Sequence, residues 1–296
     1  MTDDDDEYGA YQALAEEAED HRWAFGTGFT DPLAGVDTTV PAGVDGALLA
    51  AYCLMLGDDA LIYSHRLQQW VTRAPELEEE TALANIALDL LGQARMLLAR
   101  AGRADGSGRD EDDLAFLRDE GEFRNVRLVE RPDADFAELA GRLLVFSTWR
   151  LALLGALTAS RDPVLAAIAA KSVKELAYHR DYAARWVVRL GDGTDVSHAK
   201  ITAGLAAVWP LVDELFTPHP IELGLPGTAA DVRALRGEFD TVLDTVLAAA
   251  TLDRPQAVPL AGLGGRTGRD GLHTEDLGYL LAEMQSVARA LPGSTW

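Results

Sequence analysis

From Ala47 to Val71, large apolar side chains recur at Leu49, Tyr52, Leu56, Tyr63 and Trp70. This is close to the seven-residue spacing that turns one stripe of a helix toward a core. The pattern predicts a long first helix. Pro75 followed by Glu-Leu-Glu-Glu-Glu opens a second, which runs to about Ala101. Proline suits a first turn, and the acids complement the positive end of the helix dipole. A third helix is predicted over about 135–160, and a fourth from Pro163 to the Gly-Asp-Gly-Thr-Asp at 191–195. Four consecutive helices of about 25 residues, rising about 1.5 Å per residue, suit an antiparallel bundle.

Further helices are expected over about 198–216, 229–251 and 274–290, with Thr228 and Asp231 as a capping-box-like start for the middle one. No stretch alternates with the period of a strand, so the fold class is all-α: a ferritin-like antiparallel four-helix bundle with additional C-terminal helices. The core bundle is expected over about 47–190 and the additional helices over about 198–290, together one domain of 47–296. Residues 1–46 are acidic and rich in Gly, Asp and Pro, a composition that favours an extended arm. Residues 102–113 and the Gly- and Pro-rich 254–271 are expected as loops, the latter long enough to be functional or partner-facing, and an acidic segment with Phe116 and Phe123 leads from the first to Pro132.

With 48% hydrophobic residues in 296, the chain can bury a sizeable core. The formal charge of −22 disfavours nucleic acid and anionic membrane surfaces, whose recognition needs concentrated Lys and Arg. Such an acidic surface suits salt adaptation or the steering of a basic partner, and charge alone does not choose between them. Cys53 is the single cysteine, so there is no disulfide framework. The N-terminus reads Asp-Asp-Asp-Asp-Glu where a secretory signal needs basic and then apolar residues, and no run of about 18 uninterrupted apolar residues occurs. A cytoplasmic protein is expected.

Charged residues on the apolar stripes carry the candidate chemistry, because a buried charge needs a partner or a metal. Asp59 lies in line with Leu56 and Tyr63 in the first helix, and Asn85, Asp89 and Gln93 form an i, i+4 line in the second. Arg150 interrupts the stripe Leu139, Leu143, Phe146, Leu153, Leu157 of the third. Ile168, Ser172, Glu175, His179, Tyr182 and Trp186 share a face of the fourth, with Lys171 one turn before Glu175. A di-iron bundle needs a Glu from each of two helices and Glu-x-x-His from each of the other two. The second helix instead has Asp89-Leu-Leu-Gly92, and the fourth has His179 four residues after Glu175. The ligand set is incomplete. Asp59, Asp89, Glu175 and His179 are expected to form an ion-paired network with Arg150 and Lys171 in the space metals would occupy. The competing reading is an independently active di-iron oxygenase or ferroxidase. Gly-Leu-Gly-Gly-Arg-Thr-Gly lacks the lysine of a phosphate loop. His65, His198, His219 and His273 are expected at the surface or in caps.

Three runs resemble one family: YCLMLGDDALIYSHRLQQWVTRAPELEEETALANIALDLLGQARMLL, KSVKELAYHRDYAARWVVRLGDGT and GRDGLHTEDLGYLLAEMQSVARALPGSTW. They are similar to the C subunits of the bacterial phenylacetyl-CoA oxygenase (1,2-phenylacetyl-CoA epoxidase), and the resemblance extends from about Trp23 to Trp296. It implies a structural, ferritin-like subunit without a cofactor of its own, paired with a homologous catalytic A subunit that carries the di-iron centre. It further implies small B and D subunits and a flavin and iron–sulfur reductase. Such systems use oxygen and NADPH to epoxidise the ring of phenylacetyl-CoA in aerobic phenylacetate catabolism. By the same resemblance Asp59, Asp89, Glu175 and His179 fall at or near a vestigial metal site.

Overall fold

Residues 33–260 and 262–294 are described in a computed structural model of the chain. Among them the regular structure is helical, with one isolated bridge between Leu263 and Arg266 and no strand. The helices are α1 Gly46–Gln68, α2 Leu77–Ala104, α3 Glu111–Phe116, α4 Phe136–Leu157, α5 Pro163–Gly191, α6 Asp195–Val208, α7 Pro220–Leu223, α8 Arg236–Ala249, α9 Glu275–Met284 and α10 Ser286–Ala290. These helices all belong to the compact unit of residues 35–296. The arm expected over 1–46 lies mostly outside the described residues. Its last part is tied down where Arg100 Nη1 donates to Thr38 O at 2.5 Å.

Local chemistry sets where the long helices begin. Asp45 accepts from the amides of Ala47 and Leu48 to cap α1, and Asp135 caps α4 in the same way. Asp162 accepts from Leu165 N to cap α5 just before Pro163, and the same carboxylate is ion-paired with Arg100 of α2. α1 and α2 run antiparallel: Gly46, at the start of α1, lies against the carbonyl of Ala104 at the end of α2, while Ser64 Oγ donates to Ala87 O at 2.6 Å. Only the absence of a side chain on Gly46 allows that approach. α4 and α5, joined through residues 158–162, pack on each other, and α2 touches α5. Tyr63 of α1 reaches Phe146 of α4 with ring centroids 4.5 Å apart.

The four long helices are not equally covered. In α1, 16 of 23 residues are buried and in α4, 18 of 22, whereas α2 buries 12 of 28 and α5 10 of 29. α1 and α4 are therefore enclosed on nearly all sides. α6 and α8 lie over α4 and α5, and the 118–130 and 262–277 segments close over α1. α1, α2 and α4 are each long and apolar enough to cross a membrane by length and composition. In this fold 72% of the α1 window and 83% of the α4 window are buried within the chain itself, which removes the apolar surface a bilayer would contact.

Several expected boundaries move for local reasons. The helix predicted over 198–216 starts at Asp195 behind a Thr194–Ser197 capping box and gives way to a 3₁₀ turn at Trp209, where Pro210 supplies no amide. Thr228 does not cap the next helix. Asp231 accepts from Arg233 N to start a 3₁₀ turn, and α8 begins at Arg236. The last predicted helix breaks at Gln285, whose Nε2 donates to the carbonyls of Ala115 and Arg118, each at 3.0 Å. α3 begins within the expected loop of 102–113, and the acidic segment that follows to Pro132 forms two 3₁₀ turns, with Phe123, Val126 and Leu128 buried. The acidic composition around them hid Val126 and Leu128 as core residues.

Candidate functional site

Four of the polar residues singled out by periodicity sit on the facing helices α2 and α5. His179, wholly buried, donates from Nε2 to Asp89 Oδ2 at 2.9 Å, while its Nδ1 has no hydrogen-bond partner among the described residues. One turn earlier, Glu175 Oε1 pairs with Lys171 Nζ at 2.9 Å, and its Oε2 accepts from Gln93 Nε2 at 3.1 Å. Gln93 is a relay, because its Oε1 accepts from Arg150 Nε at 3.0 Å.

Arg150 stands in the middle of α4 with no exposure. Its Nη2 donates to Leu56 O at 3.2 Å and its Nη1 has no hydrogen-bond partner among the described residues. Burial, set against the attraction of Asp59, lowers its pKa to about 10, so the group remains a cation at neutral pH. An amide thus joins the charges of Arg150 and Glu175, and neither touches the other.

Asp59 is held elsewhere. Both of its oxygens accept from the Arg269 guanidinium at 2.9 Å, and Val126 N donates to Oδ1 at 2.9 Å. Burial opposes the charge on Arg269, but Asp59 outweighs it and raises the guanidinium above its ordinary value. The six residues therefore form three separate groups: Arg150–Gln93–Glu175–Lys171, His179–Asp89 and Asp59–Arg269.

A two-metal centre does not fit this arrangement. It needs carboxylates and imidazoles free to converge on one point. Here both oxygens of Asp59 face a guanidinium, a buried cation occupies the middle of α4, and Asp89 binds His179 rather than leaving its Nε2 open. Among the described residues no group of three or more His, Cys, Asp or Glu side chains converges.

Most of the buried charge pairs escape periodicity altogether. Asp58 is paired with Arg118 and accepts from Arg124 N at 2.9 Å. Arg142 bridges Asp133 and Glu138 at 2.6 Å each. His273, expected at the surface or in a cap, has its side chain enclosed. Its Nδ1 donates to Glu130 Oε1 at 2.7 Å and its Nε2 to Phe123 O at 3.0 Å, while Thr274 holds the other Glu130 oxygen. Arg118, Arg269 and His273 lie in irregular segments, where no helical period marks which side chains turn inward. The signal that remained was Asp58 beside Asp59 in an apolar run, since adjacent acids on a fully enclosed helix require two cations from elsewhere.

Glu175→Ala is expected to lower stability by about 1–3 kcal/mol, because it strands the Gln93 amide and Lys171, whereas Glu78→Ala on an exposed first turn should cost only a few tenths. Equal shifts in melting temperature for the two variants would place Glu175 outside the packed network.

Two comparisons bear on this arrangement. A family model described as phenylacetic acid catabolic protein matches residues 37–296. The chain is also 47% identical over 251 residues to the C subunit of 1,2-phenylacetyl-CoA epoxidase from Escherichia coli strain K12, an alignment covering 84% of this chain and 99% of that protein.

Proposed function

We propose, from the premise that this chain belongs to the phenylacetic acid catabolic protein family, that it is a structural subunit of a multicomponent phenylacetyl-CoA ring epoxidase. In this reading the paired hairpins α1/α2 and α4/α5 are a ferritin-like four-helix bundle with its long crossover over 105–135. The homologous catalytic subunit carries the di-iron centre, a reductase supplies electrons from NADPH through flavin and iron–sulfur groups, and the complex works in the cytoplasm. The observation that carries the reading is Arg150, a buried cation hydrogen-bonded to Gln93 and Leu56 O, where a metal-binding bundle needs anionic ligands. The Asp59–Arg269 pair supports it, because an acid saturated by a guanidinium is not free to ligate.

The test is to remove the remaining seam chemistry and keep the protein. The combined variant Asp89→Asn, Glu175→Gln, His179→Gln, assembled with the catalytic subunit and reductase, is expected to retain most of the ring-epoxidation rate. Loss of turnover to background, with assembly and melting temperature preserved, would assign a chemical role to this chain and contradict the proposal.

A further inference from the structure

We infer that this fold is adapted to molar salt: its strongest ion pairs lie inside, where salt does not weaken them, and its excess acid lies outside, where salt relieves the repulsion. Counting Asp, Glu, Lys and Arg, residues 33–294 carry 38 acidic and 25 basic side chains. The buried set takes six of the acids and seven of the bases, all arginines, which leaves the interior close to neutral. The partly or fully exposed positions keep 32 acids against 18 bases, so the whole excess belongs to the surface.

The two populations answer differently to dissolved ions. Asp58–Arg118, Asp59–Arg269, Asp162–Arg100 and Asp133–Arg142 are enclosed pairs that tie the long helices to each other and to the 118–130 and 262–277 segments. Buried charges are screened little, whereas exposed pairs such as Arg233–Asp231 lose most of their small attraction as salt rises. The ties that organise this fold therefore persist in concentrated salt.

The exposed acids have the opposite need. They stand in runs at 76–80, 110–113 and 119–122 and recur singly as far as Glu283 in α9. Steering a basic partner needs one sign of charge gathered in a cleft, and these acids are spread along the chain instead. Burial, and then the charges of Glu111, Asp110 and Asp113, raise the pKa of Asp112, so its ionisation is resisted where it stands. Helical neighbours three or four positions apart are separated by about 5–6 Å, inside the screening length of about 8 Å at physiological salt and outside the length of about 3 Å at 1 M. Repulsion within a run is thus relieved only as salt approaches molar concentration.

The test is the melting temperature of the full chain from about 0.05 to about 2 M KCl, a salt chosen because sulfate and phosphate strengthen burial in almost any protein by exclusion from its surface. A rise of about 10 °C or more is expected, most of it between about 0.2 and 1 M. Asp112→Asn, Asp192→Asn, Asp253→Asn and Glu283→Gln, combined in one variant, neutralise acids that make no ion pair among the described residues. That variant is expected to melt above wild type at the lowest salt, and the gap should close at the highest. Wild type that is unfolded at the lowest salt and folds on adding KCl, with less KCl needed by the variant, would support the inference equally. A wild-type melting temperature that is flat or falls with KCl would overturn it. So would parallel rises in wild type and variant, since the effect would then not come from the surface acids.

Discussion

Arg269→Ala is expected to destabilise the chain by about 3–5 kcal/mol, the usual cost of stranding one member of a buried ion pair. Arg269 does more than neutralise Asp59. Its Nη1 also donates to Met55 O and Arg124 O, both at 2.9 Å, so one guanidinium joins α1, the 118–130 segment and its own loop. Gly268 and Gly271 bring that loop against the backbone of Asn125 and Gly121 at distances no side chain would allow, and Gly271 has φ +74°. Removing the guanidinium leaves Asp59 enclosed without a counter-charge and breaks the hydrogen bonds to Met55 O and Arg124 O. Urea denaturation measures the loss, and limited proteolysis should show cleavage between about 255 and 274 under native conditions. Asp59→Asn combined with Arg269→Ala is expected to cost less than the sum of the two, since the stranded charge is then gone. Additive costs would mean that the two residues act independently.

The second large effect concerns pH. His273 faces an acceptor at each ring nitrogen, Glu130 Oε1 and Phe123 O, an arrangement only the doubly protonated ring satisfies. Burial works against that charge, but the hydrogen bond and the charge of Glu130 outweigh it and raise the pKa above the usual 6.5. A raised folded pKa means that the stabilisation is fully present below the unfolded value and is lost as pH rises through the folded one. His273→Gln should therefore be least stable relative to wild type below the unfolded value of about 6.5, and the gap should narrow as pH rises through the raised folded value and the wild-type ring loses its proton. A gap that stays constant or widens with pH would show that the ring is neutral in the folded protein. The response should centre on α9, because Thr274, its N-cap, donates to Glu130 through both its amide and its hydroxyl at 2.7 Å.

The contrast between these residues and the ones periodicity identified shows what a sequence makes legible. Asp89, Arg150, Glu175 and His179 were visible because each interrupts an apolar stripe of regular helical spacing, and Lys171 because it lies one turn from Glu175. Gln93 stood on the Asp89 line, yet its task of linking Arg150 to Glu175 needs the distance between three helices, which no spacing along the chain encodes. Arg269, Arg118 and His273 were not legible at all. Their segments lack a period, and their inward orientation is imposed by Asp58, Asp59 and Glu130 far away in sequence. The long helices were foreseen within a few residues, because caps and prolines act locally. The breaks at Trp209 and Gln285 were less so. At the first, the signal was one proline inside an apolar run; at the second, the side chain leaves its helix to satisfy the end of a distant segment.

If this chain gives structure and a partner gives chemistry, iron must follow the partner. Full-length protein should be produced alone in iron-replete cells and again with the catalytic subunit, and the metal counted in each purified sample. The chain alone is expected to carry well under one iron, and the complex about two per catalytic subunit. Iron near two per chain in the protein purified alone, with the optical spectrum of an oxo-bridged pair, would contradict that division of labour.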